Sequence, residues 1–324
     1  MSSWLLIGPV LLLLVVLFFV VYAIFFERKV IGWAQNRIGP NRVGYWGLLQ
    51  TVADVLKLLF KEDVIPKKSD ELLFRIAPII AFVPSFAVLA VIPFTDSIRF
   101  SDFAIGLLYY MALSSITIIG ILIGGWSSNN KYSLLGGMRS AAQMISYEIP
   151  LVMSVVGIVL TVGSLNLTEI VEAQKDVWFI FPQFVGFIVF LIAAVSELNR
   201  CPFDLPEAES ELVAGYHVEY TGFRFAFFML TEYVYMFAMA SLTTVLYLGG
   251  WNAPFGLTFI PPIIWFVLKF SFVIFFLFWL RATMPRLRAD QLMQFSWKVL
   301  LPIALLNILL TSILKEVPVI GTYF

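Results

Sequence analysis

Residues 4–26 read WLLIGPVLLLLVVLFFVVYAIFF, a run without a single charged side chain. At about 1.5 Å of rise per residue, a helix of that length crosses a hydrocarbon core of about 30 Å. No basic residue precedes the run, no small-residue cleavage site follows it, and it is longer than a signal-peptide core, so it reads as a retained span. Seven more apolar runs follow, at about 75–94, 103–125, 139–163, 178–198, 223–250, 258–282 and 299–316. With 60% hydrophobic residues, 16% aromatics and only 13% charged residues, residues 1–324 read as one polytopic, all-α integral membrane domain of about eight transmembrane helices. A soluble core of this size needs no such series of spans.

Pro78, Pro84, Pro150, Pro182 and Pro302 fall within these runs, which membrane helices tolerate where neighbours satisfy the freed carbonyls. Gly120, Gly124 and Gly125 point to a close helix contact in the third span. No internal repeat is visible, which weighs against an inverted-repeat transporter.

The charges set an orientation. Counted with the basic residues at their flanking span ends, the loops after spans 1, 3, 5 and 7 hold 17 of the 21 Lys and Arg residues. By the positive-inside rule those loops face the cytoplasm and both termini face out. The net charge is zero, so no bulk field points to nucleic acid. One cysteine, Cys201, and one histidine, His217, are too few for a four-thiolate zinc site, an iron–sulfur cluster or a bis-histidine haem in this chain alone. Cys201 reads as a packing residue and His217 as structural.

The first cytoplasmic segment opens with ERKVIGWAQNRIGPNRVG (27–44) and continues as GLLQTVADVLKLLFKED (47–63). Gln50, Asp54, Lys57 and Lys61 share one helical face there, and the rest is nearly all apolar. The segment 45–62 is too short and too charged to span, and predicts an amphipathic helix at the interface or beneath the bundle.

Ionisable residues inside spans are costly and default to function. Here they are Glu148 in MISYEIP, Glu197 at the end of the fifth span, Glu232 in LTEYVY and Lys269 in FVLKFSF. They read either as a proton or cation route or as groups quietly paired within the bundle. The loop 199–222 adds an acidic cluster, NRCPFDLPEAESELVAGYHVEY, with Asp204, Glu207, Glu209, Glu211 and Glu219 within sixteen residues and Arg200 the sole cation of the quoted stretch. Asp204 as N-cap, Pro206 in the first turn and Glu207 three residues after the cap make a helix start. That leaves Glu211 and Glu219 unexplained, and clustered carboxylates titrate as a coupled set. RATMPRLRADQLM (281–293) carries Arg281, Arg286 and Arg288 just inside the membrane, as an orientation signal or as a surface for an anionic head or a partner.

Together and in this order, ERKVIGWAQNRIGPNRVG, the GLLQ–LKLLFKE segment, MISYEIP, SELNRCPFDLPEAESELVAGYHVEY, TEY and the PRLRADQLM run resemble the H-subunit family of proton-pumping NADH:quinone oxidoreductase, respiratory complex I, over essentially the whole chain. Tyr45, Thr51, Thr231 and Ala289 depart from the usual pattern. The resemblance implies a membrane-arm component of a translocase in a bacterial cytoplasmic membrane, holding no cofactor itself. Quinone would be the substrate at a shared site, with iron–sulfur clusters and FMN in partner subunits. Its partners would be the peripheral-arm iron–sulfur and quinone-chamber subunits, the small membrane-arm and antiporter-like subunits, and the bilayer. By the same resemblance Arg28, Asp54, Arg286 and Arg288 face the quinone path or docking surface. Glu27, Glu148, Glu197, Asp204, Glu207, Glu209, Glu211, Glu219 and Glu232 form the acidic passage, and Lys269 joins the coupling set. The competing readings are the homologous membrane component of an energy-converting hydrogenase, which needs no quinone, and a stand-alone ion transporter.

Overall fold

A computed structural model describes residues 2–204, 213–254 and 259–316. Among the described residues every regular element is helical: α1 (Ser2–Ala34), α2 (Gln50–Phe60), α3 (Glu71–Ala87), α4 (Gly106–Ser127), α5 (Lys131–Val162), α6 (Leu167–Ala173), α7 (Phe184–Glu197), α8 (Gly222–Tyr247), α9 (Pro262–Thr283), α10 (Ala289–Phe295) and α11 (Leu301–Lys315). Among the described residues seven helices are long and apolar enough to cross a membrane, α10 and α11 counting as one, and α7 is a shorter apolar helix of 14 residues. The protein is an all-α integral membrane protein.

Helix boundaries follow local chemistry. Asp70, Asn130 and Asn166 cap α3, α5 and α6 by accepting from the backbone N–H of Leu73, Tyr132 and Thr168. Gly163, at φ +79°, ends α5 in the left-handed conformation that a glycine takes without steric cost. Helix α1 runs to Ala34, eight residues past the apolar stretch that defines the span; backbone bonds within a helix continue as long as no breaker intervenes, and Glu27, Arg28 and Lys29 are no breakers. The fifth apolar run, by contrast, becomes helical only from Phe184; a proline disfavours helical backbone at the residue before it, so Pro182 sets the start after it. The amphipathic segment is helical over 50–60, and its apolar side chains Val52, Val55, Leu56, Leu59 and Phe60 are exposed.

Helix α8 is the axis of the bundle. From Tyr233 to Tyr247 every side chain is buried, and α1, α2, α3, α6, α7 and α9 all touch it. Helix α4 packs against α3 and α5 against α4, and α5 also meets α7 and α11. Close approach comes from small residues: a Cβ on Gly120 would lie 2.6 Å from the Ala81 backbone nitrogen of α3, and one on Gly136 would lie 2.7 Å from the Cα of Gly215. The outer faces of α1 and α11 expose Leu11, Leu14, Phe18, Leu305, Leu306 and Leu309, as lipid-facing helices should.

Candidate functional site

The site grows from residues that an apolar interior can hold only if each charge finds a partner. Glu27, near the end of α1, is one such residue. Its Oε2 accepts from Arg200 at 2.6 Å and from the Tyr233 hydroxyl at 2.9 Å, and its Oε1 accepts from Arg281. Glu27 and Arg200 are 4% and 6% exposed at their side chains. Arg200 follows α7, Tyr233 belongs to α8 and Arg281 ends α9, so one carboxylate ties four parts of the chain together at one end of the bundle. The Arg200 guanidinium also lies over the Tyr233 ring at 4.5 Å. Burial alone would favour neutral Arg200, but Glu27, then Tyr233 and Glu232, outweigh it and hold the guanidinium above the ordinary arginine pKa.

Deeper in the bundle, buried Glu197 accepts from the Tyr235 hydroxyl at 2.5 Å. Half-buried Glu148, on α5, accepts from Ser115 of α4. Glu232, one residue before Tyr233, accepts from the Tyr216 hydroxyl at 3.2 Å. Helix α8 thus sends Glu232, Tyr233 and Tyr235 to three partners within four positions. The guanidinium donors can only stabilise a carboxylate, whereas the hydroxyls, as donors and acceptors both, can also relay a proton beside it.

The acidic loop is anchored at both described ends. Gln143 of α5 donates from Nε2 to the Ser196 and Phe203 carbonyls, each at 2.8 Å. Buried Asp204 accepts from Arg286 at 3.2 Å, and Glu219 accepts from Asn130 at 2.7 Å. Glu207, Glu209 and Glu211, and with them the helix start expected after Asp204, lie outside the described residues. The Cys201 thiol donates to the Met284 carbonyl at 3.2 Å, and burial, then Asp204, pushes its pKa up. His217 packs edge-on against Tyr216 and Phe225.

On the first cytoplasmic segment Arg28 pairs with Asp54 at 2.7 Å, which Gln50 also approaches at 3.4 Å. Arg288 pairs with Asp290 on the surface. Lys269 is elsewhere. Its Nζ donates to the carbonyls of Gly250 (2.9 Å) and Asn252 (2.7 Å) and lies 4.1 Å above the Trp178 ring. It sits 12 residues before Arg281, or about 18 Å along α9. Between α1 and α9 lies an apolar cavity of about 740 Å³ lined by Phe18, Phe19, Tyr22, Phe237, Phe266 and Phe270 among others. Among the described residues no group of three or more His, Cys, Asp and Glu side chains is arranged to hold a metal ion.

Sequence reasoning singled out the acids and missed what holds them: Tyr233, Tyr235, Ser115 and Gln143, with Arg200 and Arg281 noted only as charges. Two tyrosines just after a span glutamate, and one arginine among carboxylates, were the available signals.

These features define a polytopic membrane protein whose helices enclose buried, donor-satisfied carboxylates. Comparison narrows the class. The NADH dehydrogenase family model matches residues 7–312. The chain is 71% identical to the NADH-quinone oxidoreductase H subunit of Brevibacillus brevis, over 96% of this chain and 93% of that one. It is also 71% identical to the H subunit of Bacillus thuringiensis subsp. konkukian (95% and 92%) and 70% identical to that of Bacillus anthracis (95% and 92%). The chain belongs to this NADH dehydrogenase family, among the H subunits of NADH-quinone oxidoreductase. It is a multi-pass membrane component of an oxidoreductase complex.

Proposed function

We propose that the chain helps form a quinone chamber where the membrane arm meets the peripheral arm, and couples quinone reduction to proton translocation through its carboxylates. The observation that carries this reading is Glu197: a carboxylate inside the bundle, 4% exposed, supplied with a hydroxyl donor, on a helix packed against α5, which carries Glu148. Reduction of a quinone to a quinol takes up two electrons and two protons, so a site for it needs proton donors. Carboxylates beside tyrosine and serine hydroxyls supply them. A charge change at the quinone would shift the Glu27–Arg200–Arg281 cluster, then Glu232, Glu197 and Glu148. Asp204, Glu207, Glu209, Glu211 and Glu219 would act at the mouth of this route.

Arg28, Asp54, Arg286 and Arg288 would face the quinone path or the docked arm, and the exposed apolar face of the 50–60 helix supports a docking or interfacial role for that segment. Lys269, tied to loop carbonyls some distance along α9, would be the far cation of the coupling set. Iron–sulfur and FMN chemistry belongs to partner subunits in this reading, the other neighbours being small membrane-arm and antiporter-like subunits. Both termini would face out of a bacterial cytoplasmic membrane.

The test is to tag the chain in its native membranes, extract it gently, identify what accompanies it and assay quinone reduction on the same sample. Iron–sulfur subunits with inhibitor-sensitive quinone reductase activity are the expected result. A nickel-bearing partner with hydrogen evolution and no quinone activity would move the chain to the hydrogenase branch. Ion flux by the chain alone would make it a transporter.

A further inference from the structure

Helix α5 contains Pro150. A proline has no N–H, so the carbonyl four residues earlier, that of Ser146, loses its intrahelical donor. In a buried apolar setting such a carbonyl must find another partner. It finds one across the bundle: the Ser296 hydroxyl donates to the Ser146 carbonyl at 2.7 Å, and Ser296 is wholly buried. Ser296 opens a π-helical turn, Ser296–Leu300, that joins α10 to α11. There the Leu301 N–H reaches back five residues to the Ser296 carbonyl, and Pro302, next in the chain, again cannot donate. Two proline-interrupted helices therefore meet, and one makes good the bond that the other lacks. Two further contacts fasten the same place. The Trp297 Nε1 donates to the Ser146 hydroxyl at 3.3 Å, and the Tyr147 hydroxyl donates to the Leu292 carbonyl at 3.0 Å.

Glu148 lies in this turn, between Ser146 and Pro150, and its carboxylate is held from another side by Ser115 of α4. The geometry points to Ser296 as a positioning residue for Glu148: by replacing the amide missing at Pro150, it fixes the rotation of the proline-bearing turn that aims the carboxylate at Ser115. This rests on the reading of Glu148 as part of the proton-coupling route. Neither the hydroxyl nor the π turn touches a reacting group; the action is through the α5 backbone.

The test is a mutant cycle in the intact complex: Ser296→Ala, Pro150→Ala, the double variant, and Glu148→Gln. Each is followed by quinone-reductase kinetics and by thermal disassembly. Loss of one hydrogen bond to the turn predicts that Ser296→Ala lowers kcat about fivefold while KM for quinone stays put. Pro150→Ala restores an N–H for the Ser146 carbonyl, so adding Ser296→Ala to it should cost nothing further in kcat or in disassembly temperature. If the two substitutions are instead additive in disassembly temperature, the backbone link is wrong whatever Glu148 does. If the link holds but Ser296→Ala keeps full kcat while Glu148→Gln loses it, the positioning role falls and the carboxylate reading stands. Full activity in Glu148→Gln removes the carboxylate reading and the positioning role together, with the disassembly cycle still deciding the link.

Discussion

Glu27 and Arg200 stand 173 positions apart in the chain and meet at 2.6 Å, both buried, with Tyr233 and Arg281 on the same carboxylate. In an interior that excludes water, each charge exists only because the other does. The cluster is thus both a fastener of α1, α8 and α9 and the place where a new charge nearby would be felt first.

Breaking that cluster from one side should be severe. Arg200→Met leaves the Glu27 carboxylate with fewer donors and should cost about 3–5 kcal/mol, the range for removing one partner of a buried pair. The double variant Glu27→Gln/Arg200→Met should lose clearly less than the two single losses added together. Thermal denaturation of the purified complex reads this directly, and strict additivity would show that the pair is not energetically coupled.

Tyr235→Phe removes a side-chain hydroxyl bonded at 2.5 Å to Glu197 while keeping the ring. Quinone-reductase turnover should fall about tenfold, a modest loss on the scale of positioned proton donors, with the amount of assembled complex unchanged. Turnover at the wild-type level would take Tyr235 out of the route.

The small-residue contacts predict a contrast between two alanine substitutions. At Gly136 a Cβ would enter the Gly215 backbone, at 2.7 Å from its Cα, where neither side can yield, and overpacking of that kind costs about 1–3 kcal/mol. At Gly163 there is open space but a φ of +79°, so Gly163→Ala should cost about 1 kcal/mol through backbone strain alone. Thermal melts should place Gly136→Ala below Gly163→Ala, and the reverse order would refute this account of α5 packing.

Arg28 is half-exposed and paired with Asp54 at 2.7 Å, a setting in which an ion pair contributes about 0–1 kcal/mol. Arg28→Gln should therefore leave the melting temperature nearly unchanged. If Arg28 faces the quinone path, KM for quinone should rise several-fold with kcat retained. A large stability loss with unaltered KM would make it a structural residue.

Much of this was legible in the sequence. Uncharged runs such as 4–26 set the fold class, because burial of a helix backbone in lipid demands length and apolarity above all. Glu148, Glu197 and Glu232 stood out against apolar neighbours. Their partners did not. Tyr235 looks like any aromatic residue of a greasy span, and only the packing of α7 against α8 turns its hydroxyl toward Glu197. Arg200 and Arg281 read as loop charges obeying an orientation rule, and they proved to converge on Glu27 because the ends of α1, α7 and α9 gather at one end of the bundle. Helix ends were the other surprise: Pro182 shortened the fifth helix, and the absence of a breaker lengthened the first.

The most direct test of the central claim is Glu197→Gln in the native complex, with proton translocation measured per electron delivered to quinone. Normally assembled complex, with turnover and proton translocation both strongly reduced, is the expected result. Wild-type turnover and a wild-type proton-to-electron ratio would contradict it.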